Sequence, residues 1–519
     1  MKSSEKKSPP QNKESLSHKK PSFLDKALGF VETVGNKLPD PITLFFLLSV
    51  AIVIISGVVG SANLSVEHPG TGEVVAAVSL LTPDGIRQIV TEAVNNFVEF
   101  PPLGTVLVAM LGVGVAESTG LLSALLRQGV LVAPAAIISP VIVFAGVISN
   151  VASDAGYVVL TPLGALVFLA FGRHPIAGLA AAFAGVSGGY SANLLIGTLE
   201  PLLAGITQGS AQLINPDYTV NSAANYYFMA ASTFLITLIG WYITDKIVEP
   251  RLGNFQGEKN VEIERLSAAE TKGLKWAGFS FLGLLAFFMV MLLPPQGILR
   301  EPETFTIIPS PFLTGIVPII MLAFLIPGIV YGVVTGTIKS DKDISQALGD
   351  SMSGMGYYMA LSFFAAQFVA YFGWTNLGLI LAVKGAELLE TTGFTGIPLL
   401  ISFILVSAFI NLFIGSASAK WNIMAPVFVP MLMLIGYSPE FTQLAYRIGD
   451  STTNIITPLM TYFPIIVAFG SKYDKNLGIG TLIATMLPYS IAFLLGWTIF
   501  FIIWFVFGIP LGPGAYIRI

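Results

Sequence analysis

Cysteine is absent from the 519 residues, which excludes disulfides, thiolate nucleophiles and cysteine-ligated metals. Histidine is almost as rare: His18, His68 and His174 are too scattered to build an imidazole metal site. Charge is scarce too, at 11% of residues against 54% hydrophobic, with a mean hydropathy of +0.78. A soluble domain of this length would lack the polar surface to cover itself. The short alternating segments of an outer-membrane barrel are missing. So are a nucleotide-binding P-loop and any nucleophile–base constellation, which argues against an ATP-driven pump or a membrane enzyme. No nucleic-acid partner is expected.

What the chain has instead is apolar runs close to or beyond the roughly 20 residues that a spanning helix needs. The expected class is an all-α polytopic membrane protein whose solvent is the lipid bilayer. Spans are read at about 41–60, 102–118, 131–149, 224–244, 275–293, 311–334 and 480–508. A helix is expected at about 348–372 and another apolar run at about 395–415. Together they make about nine transmembrane helices, with irregular apolar pieces beside them. GLLSALLRQG, from Gly120, reads as an interfacial segment. Residues 1–22 are polar and lysine-rich, and read as a disordered cytoplasmic tail. The positive-inside rule then puts the N-terminus in the cytoplasm. A charged linker at 245–275 separates a first half, 23–244, from a second, 276–519.

Two polar islands interrupt this background. One runs from Ser149 to Pro201 and the other from Asn411 to Pro464. Asn150 and Asn411 open them. Pro162 and Pro175 stand 13 apart (175 − 162), as do Pro426 and Pro439 (439 − 426). Further on, Asn193 falls opposite Asn454. The expectation is an internal, inverted repeat in which each half holds a re-entrant hairpin and a broken helix, the arrangement that places helix ends at the bilayer midplane of transporters.

Polar groups in hydrocarbon survive mainly where they face a cavity or one another. Free carbonyls, amide oxygens and carboxylates suit Na⁺, so Asn150, Asp154, Asn411 and Asp450 are the cation-ligand candidates. An interhelical hydrogen bond is the competing role for each asparagine. Arg447 lies three residues before Asp450, on the same helix face. It is either half of a structural ion pair or a fork for a substrate carboxylate. Trp421 is placed to stack on an aromatic substrate or simply to pack. Lys420 beside it has a stem long enough to snorkel to the interface. Glu200, after the glycine-rich break, is a proton carrier if buried or a solvated acid if not. His174, between Arg173 and Pro175, marks a hairpin end facing water.

The motifs SNVASDAGYVVLTPLGA, AGVSGGYSANLLIGTLEP, GSASAKWNIMAPVFVPM and YRIGDSTTNIITPLMTYFP resemble those of the AbgT family, the p-aminobenzoyl-glutamate transporters. The likeness covers nearly the whole chain. It implies a bowl-shaped homodimer, with about nine spans and two re-entrant hairpins per subunit and a basin open to the cytoplasm. It implies no covalent cofactor, and a bound Na⁺ near the second hairpin with Asn411 as its asparagine. The implied activity is secondary transport, at the inner membrane, of p-aminobenzoyl-glutamate, or export of sulfonamide antimetabolites and folate-related compounds. The family's functional positions match Ser418, Trp421, Pro439, Arg447, Asp450 and Pro458. Its acid after the first break matches Glu200, where aspartate is expected. A sodium-coupled dicarboxylate carrier and a gated ion channel are the alternatives. The first gives Trp421 no evident task, and the second needs a continuous polar pore.

Overall fold

A computed structural model describes residues 39–62, 64–67, 72–131, 133–152, 156–257, 266–308, 310–460, 462–475 and 477–519. The basic tail and Asp154 lie outside them. The described chain is helical apart from one small antiparallel hairpin, Ser65–Glu67 with Val74–Ala76. Among the described residues, seven helices are long and apolar enough to cross a membrane, and up to nine if each of two bent pairs counts as one span.

Outside the repeats, α1 (Pro41–Ser61) and α2 (Pro101–Ser118) are spans. The segment from Gly120 that the sequence reads as interfacial falls on an 11-residue helix, α3 (Leu121–Leu131). α4 (Ala268–Leu292) opens on a Ser267/Glu270 capping box, and Arg127 of α3 reaches that same Glu270. Only 6% of the apolar window of α4 is buried against the protein, so its surface belongs to lipid or a partner. α5 (Ile316–Thr335) packs on both α2 and α4. The run expected as one helix at about 348–372 is instead two, Asp341–Gly354 and α6 (Gly356–Trp374), bent by 44°. α7 (Leu377–Thr391) has no counterpart in the hydropathy reading, because Lys384, Glu387 and Glu390 on its exposed face interrupt the apolar run.

Inside this shell the same succession of elements occurs twice. In the first repeat, α8 (Ile138–Ser149) leads to a hairpin whose arms are Thr161–Ala170 (α9) and Pro175–Phe183 (α10). An irregular break follows, then α11 (Leu199–Ala211) and α12 (Tyr226–Ile243). In the second repeat, α13 (Gly396–Asn411) leads to arms α14 (Ala417–Leu434) and α15 (Pro439–Thr453), a second break, α16 (Phe463–Ser471) and α17 (Ile479–Phe507). Pro175 and Pro439 each start the returning arm, where a missing N–H costs nothing. Pro426 and Pro430 lie inside α14, which is tolerable at membrane depth because neighbouring helices satisfy the freed carbonyls. The helix α12 does not stop at residue 244 but continues through a π-turn to Leu252.

The returning arms are held against the preceding helix by one device. A Cβ on Gly185 would lie 2.3 Å from the Val143 carbonyl oxygen, and a Cβ on Gly449 would lie 2.4 Å from that of Ile404. Gly185 and Gly449 each stand 10 residues after the arm's first proline (185 − 175 and 449 − 439). Only glycine allows that approach.

Candidate functional site

The two breaks meet at a cavity of about 240 Å³. The first repeat supplies Tyr157, Tyr190, Leu199 and Leu202; the second supplies residues 415–418, Asn454, Met460 and Tyr462. Tyr157 and Tyr462 stack face to face across the repeats, 4.6 Å between ring centres and 8° from parallel. The N-terminal ends of α11 and α14 both open on this space, since Leu199 and Ala417, their first residues, line it. Unpaired N–H groups and the macrodipole make such ends attractive to anions. Ser416 caps α14 by accepting the Ala419 N–H at 3.3 Å, and Ser418, half-buried, faces the cavity.

Behind this wall lies a buried charged cluster. Tyr446 connects the two, donating to the Ala417 carbonyl at 2.6 Å. Trp421 is fully buried, stacks on Tyr446 at 4.4 Å, and donates to Thr207 Oγ1 at 2.8 Å. Thr207 in turn donates its hydroxyl to Gln443 Oε1 at 2.6 Å, which joins the first repeat to the second. Arg447, 2% exposed, donates from Nη2 to Glu200 Oε1 at 2.7 Å. The other Glu200 oxygen accepts the Gly197 N–H at 2.7 Å. Glu200 is thus buried and bonded. Arg447 Nε and Nη1 have no hydrogen-bond partner among the described residues. A buried guanidinium with two idle donors is costly, and each idle N–H is free to take an acceptor.

Lys420 does not snorkel. Its ammonium is buried and donates to Asn411 Oδ1 and Asp450 Oδ1. Asn411 in turn donates to the Asp450 carbonyl at 2.6 Å, Thr453 Oγ1 at 2.8 Å and Asn454 Oδ1 at 2.9 Å. Of the proposed Na⁺ ligands, Asp154 lies outside the described residues, and Asn150 stands apart from Asn411 and Asp450. Asn150 stays within its own repeat, donating to the Val147 and Gly189 carbonyls, and its buried Oδ1 has no partner among the described residues. The oxygens of Asn411 and Asp450 that would face a metal ion face an ammonium instead. As they stand, these residues do not fit a free Na⁺.

The remaining residues named from sequence fall at the edges. Asn193, buried in the first break, donates to the Val147 and Ile148 carbonyls and accepts the Leu195 N–H. Pro439 starts α15 at the hairpin tip, and Pro458 lies half-buried in the second break. His174 is at a hairpin end, as read, but its ring caps α10 by accepting the Ile176 N–H at 3.2 Å. Sequence reasoning missed Tyr157, Tyr190 and Tyr462. One signal was available: the shift of 264 residues that superposes Pro175 on Pro439 (439 − 175) also sets Tyr157 opposite Trp421.

Two re-entrant hairpins and two broken helices closing on a polar cavity, inside a sheath of apolar spans, define a membrane transporter. The chain belongs to the AbgT transporter family, whose profile matches residues 26–519. A p-aminobenzoyl-glutamate transport protein of Escherichia coli K12 is 40% identical over 494 residues, 95% of this chain and 97% of that protein. Among solved structures, the YdaH transporter of Alcanivorax borkumensis is 47% identical with a TM-score of 0.88, covering 92% of this chain and 100% of that one. MtrF of Neisseria gonorrhoeae, described within a class of antimetabolite efflux pumps, is 52% identical with a TM-score of 0.88, covering 94% and 100%.

Proposed function

We propose that this protein is a secondary active transporter of p-aminobenzoyl-glutamate and related aromatic carboxylates, with sulfonamide antimetabolites as further cargo for export. The observation that carries this reading is the convergence of two helix N-termini and three tyrosines on one cavity between the repeats. Helix ends attract carboxylates, and stacked rings accept an aromatic face. Arg447, through an idle N–H at Nε or Nη1, is the carboxylate clamp. Its ion-pair partner Glu200 adjoins the cavity-lining Leu199. Trp421 holds Tyr446 in place behind the wall. The cavity, at about 240 Å³, is smaller than the roughly 300–1,000 Å³ of ordinary ligand pockets. Cargo therefore enters with a movement of the hairpins, which is alternating access. A proton or sodium gradient drives it, in a homodimer at the inner membrane with the N-terminus cytoplasmic.

The test is flux in proteoliposomes with proton and sodium gradients imposed separately. Saturable p-aminobenzoyl-glutamate transport is expected. Arg447→Ala should lower its apparent affinity by about 30-fold or more, the cost of truncating a buried charged clamp. Sulfonamide flux should change less, because that cargo lacks the carboxylates. Unchanged p-aminobenzoyl-glutamate flux in folded Arg447→Ala protein would remove the clamp from the scheme.

A further inference from the structure

We propose that Lys420 is the resident cation of the second repeat, and that it determines which ions this site admits. Its ammonium sits between Asn411 Oδ1 and Asp450 Oδ1 and keeps Na⁺ out of that seat. The idea rests on contacts and charge within the transporter's buried cluster. It takes from the proposed function only that the chain is membrane-embedded.

Three observations carry it. First, the Lys420 side chain is fully buried and Asp450 is 2% exposed, so neither charge is screened by water and each depends on the other. Second, Asn411 is oriented by its amide nitrogen, whose two N–H groups are shared among the Asp450 carbonyl, Thr453 and Asn454. Those bonds commit its amide nitrogen and leave Oδ1 to the ammonium, so the seat is built around a cation. Third, the cluster is already neutral: Lys420 and Arg447 are matched by Asp450 and Glu200. A metal ion entering beside Lys420 would add an unbalanced charge next to a like one, in a medium where such repulsion is large. Removing the ammonium reverses the balance. Asp450 would then be a buried, unpaired carboxylate beside a pre-oriented amide oxygen, and Na⁺ is the small hard cation suited to those oxygens.

The experiment measures ion binding rather than transport, so its failure is separable from failure of the substrate assignment. Purified full-length protein in detergent is titrated with radiolabelled Na⁺, and unfolding is followed in NaCl against choline chloride. Wild type should show no Na⁺ bound at this site and no sodium-specific rise in unfolding temperature. Lys420→Met, which keeps the stem without the charge, should bind one Na⁺ per chain and gain a sodium-specific stabilisation. That binding should vanish when Asp450→Asn is added. Lys420→Arg, which keeps a cation in place, should behave as wild type; a merely structural lysine would not give this charge-dependent pattern. If Lys420→Met does not fold, Lys420→Gln supplies the neutral arm with a head the same acceptors can bond, and the double variant, which removes both charges, is the folding control. Sodium binding by wild type that Asp450→Asn abolishes would overturn the proposal. So would the absence of binding in the folded neutral variant.

Discussion

The two repeats share a backbone and differ in what they put at its centre. Under the 264-residue shift, Gly156 and Val186 of the first repeat occupy the positions of Lys420 and Asp450 in the second. The contact is preserved while its chemistry changes. A Cβ on Gly156 would lie 3.1 Å from Val186 Cγ1, and the corresponding lysine and aspartate form a direct ion pair. Phe183 likewise stands where Arg447 does, and it packs edge-on against Tyr157 and Phe463. The first hairpin is therefore closed by apolar packing and the second by charge. Apolar packing needs no partner to appear or leave, whereas a buried ion pair is sensitive to every charge brought near it. The proposed carboxylate clamp, Arg447, and the buried Lys420–Asp450 pair thus both belong to the second repeat, to which the first contributes Glu200 and two of the three cavity tyrosines.

The contrast is sharpest at the central pair. Asp450→Asn leaves the Lys420 ammonium buried without its carboxylate and should cost about 3–5 kcal/mol of stability. Val186→Ala at the matching position removes only apolar volume and should cost about 2 kcal/mol. Denaturant unfolding of the solubilised protein measures both, and equal losses would erase the distinction drawn here.

A second comparison tests the likeness rather than the difference. Gly185→Ala and Gly449→Ala each force a methyl into a carbonyl oxygen, at 2.3 Å and 2.4 Å before relaxation. Each should cost about 1–3 kcal/mol, and by similar amounts, if the repeats pack alike. A large loss at one site with none at the other would argue against equivalent registers.

The hairpin tips give the smallest expected effects. Arg173, at the first tip, pairs with Asp245 and Glu249 at the end of α12. At the second tip, the segment after α17 does the same work through hydrogen bonds. Ser438 donates its N–H to the Ile517 carbonyl at 2.9 Å and its hydroxyl to the Tyr516 carbonyl at 2.6 Å. Arg173→Ala and Ser438→Ala should each cost about 1 kcal/mol, seen as faster amide exchange confined to the tip concerned. Exchange that rises at both tips in either variant would show that the two anchors are coupled.

Much of this was legible in the residues alone because the signals are local. Apolar runs such as Pro41–Ser61 and Ile479–Phe507 announce their solvent, and every residue in them carries the same message. Paired prolines revealed the repeat, since a proline constrains its own backbone wherever it stands, whereas the asparagines do not share that register: Asn454 stands opposite Tyr190 and Asn411 opposite Val147. The bend before α6 was hidden because both of its sides are helical, although Gly354 and Gly356 flank it. α7 was hidden because its charges face outward from a helix that packs on α14.

Lys420 shows where the sequence stops being sufficient. Residue type and neighbours established that it is a cation in a polar island of a membrane protein, and both snorkelling and pairing were consistent with that. Which one occurs depends on Asp450, 30 residues later (450 − 420), being brought against it by the hairpin turn and by the contact of Gly449 with α13. The same holds for Arg447, whose partner Glu200 comes from the other repeat. The chain by itself determined the membrane class, the duplication and the family. Only the tertiary structure decided which charges meet, because an ion pair's partner is set by the approach of distant segments rather than by either residue's own preference.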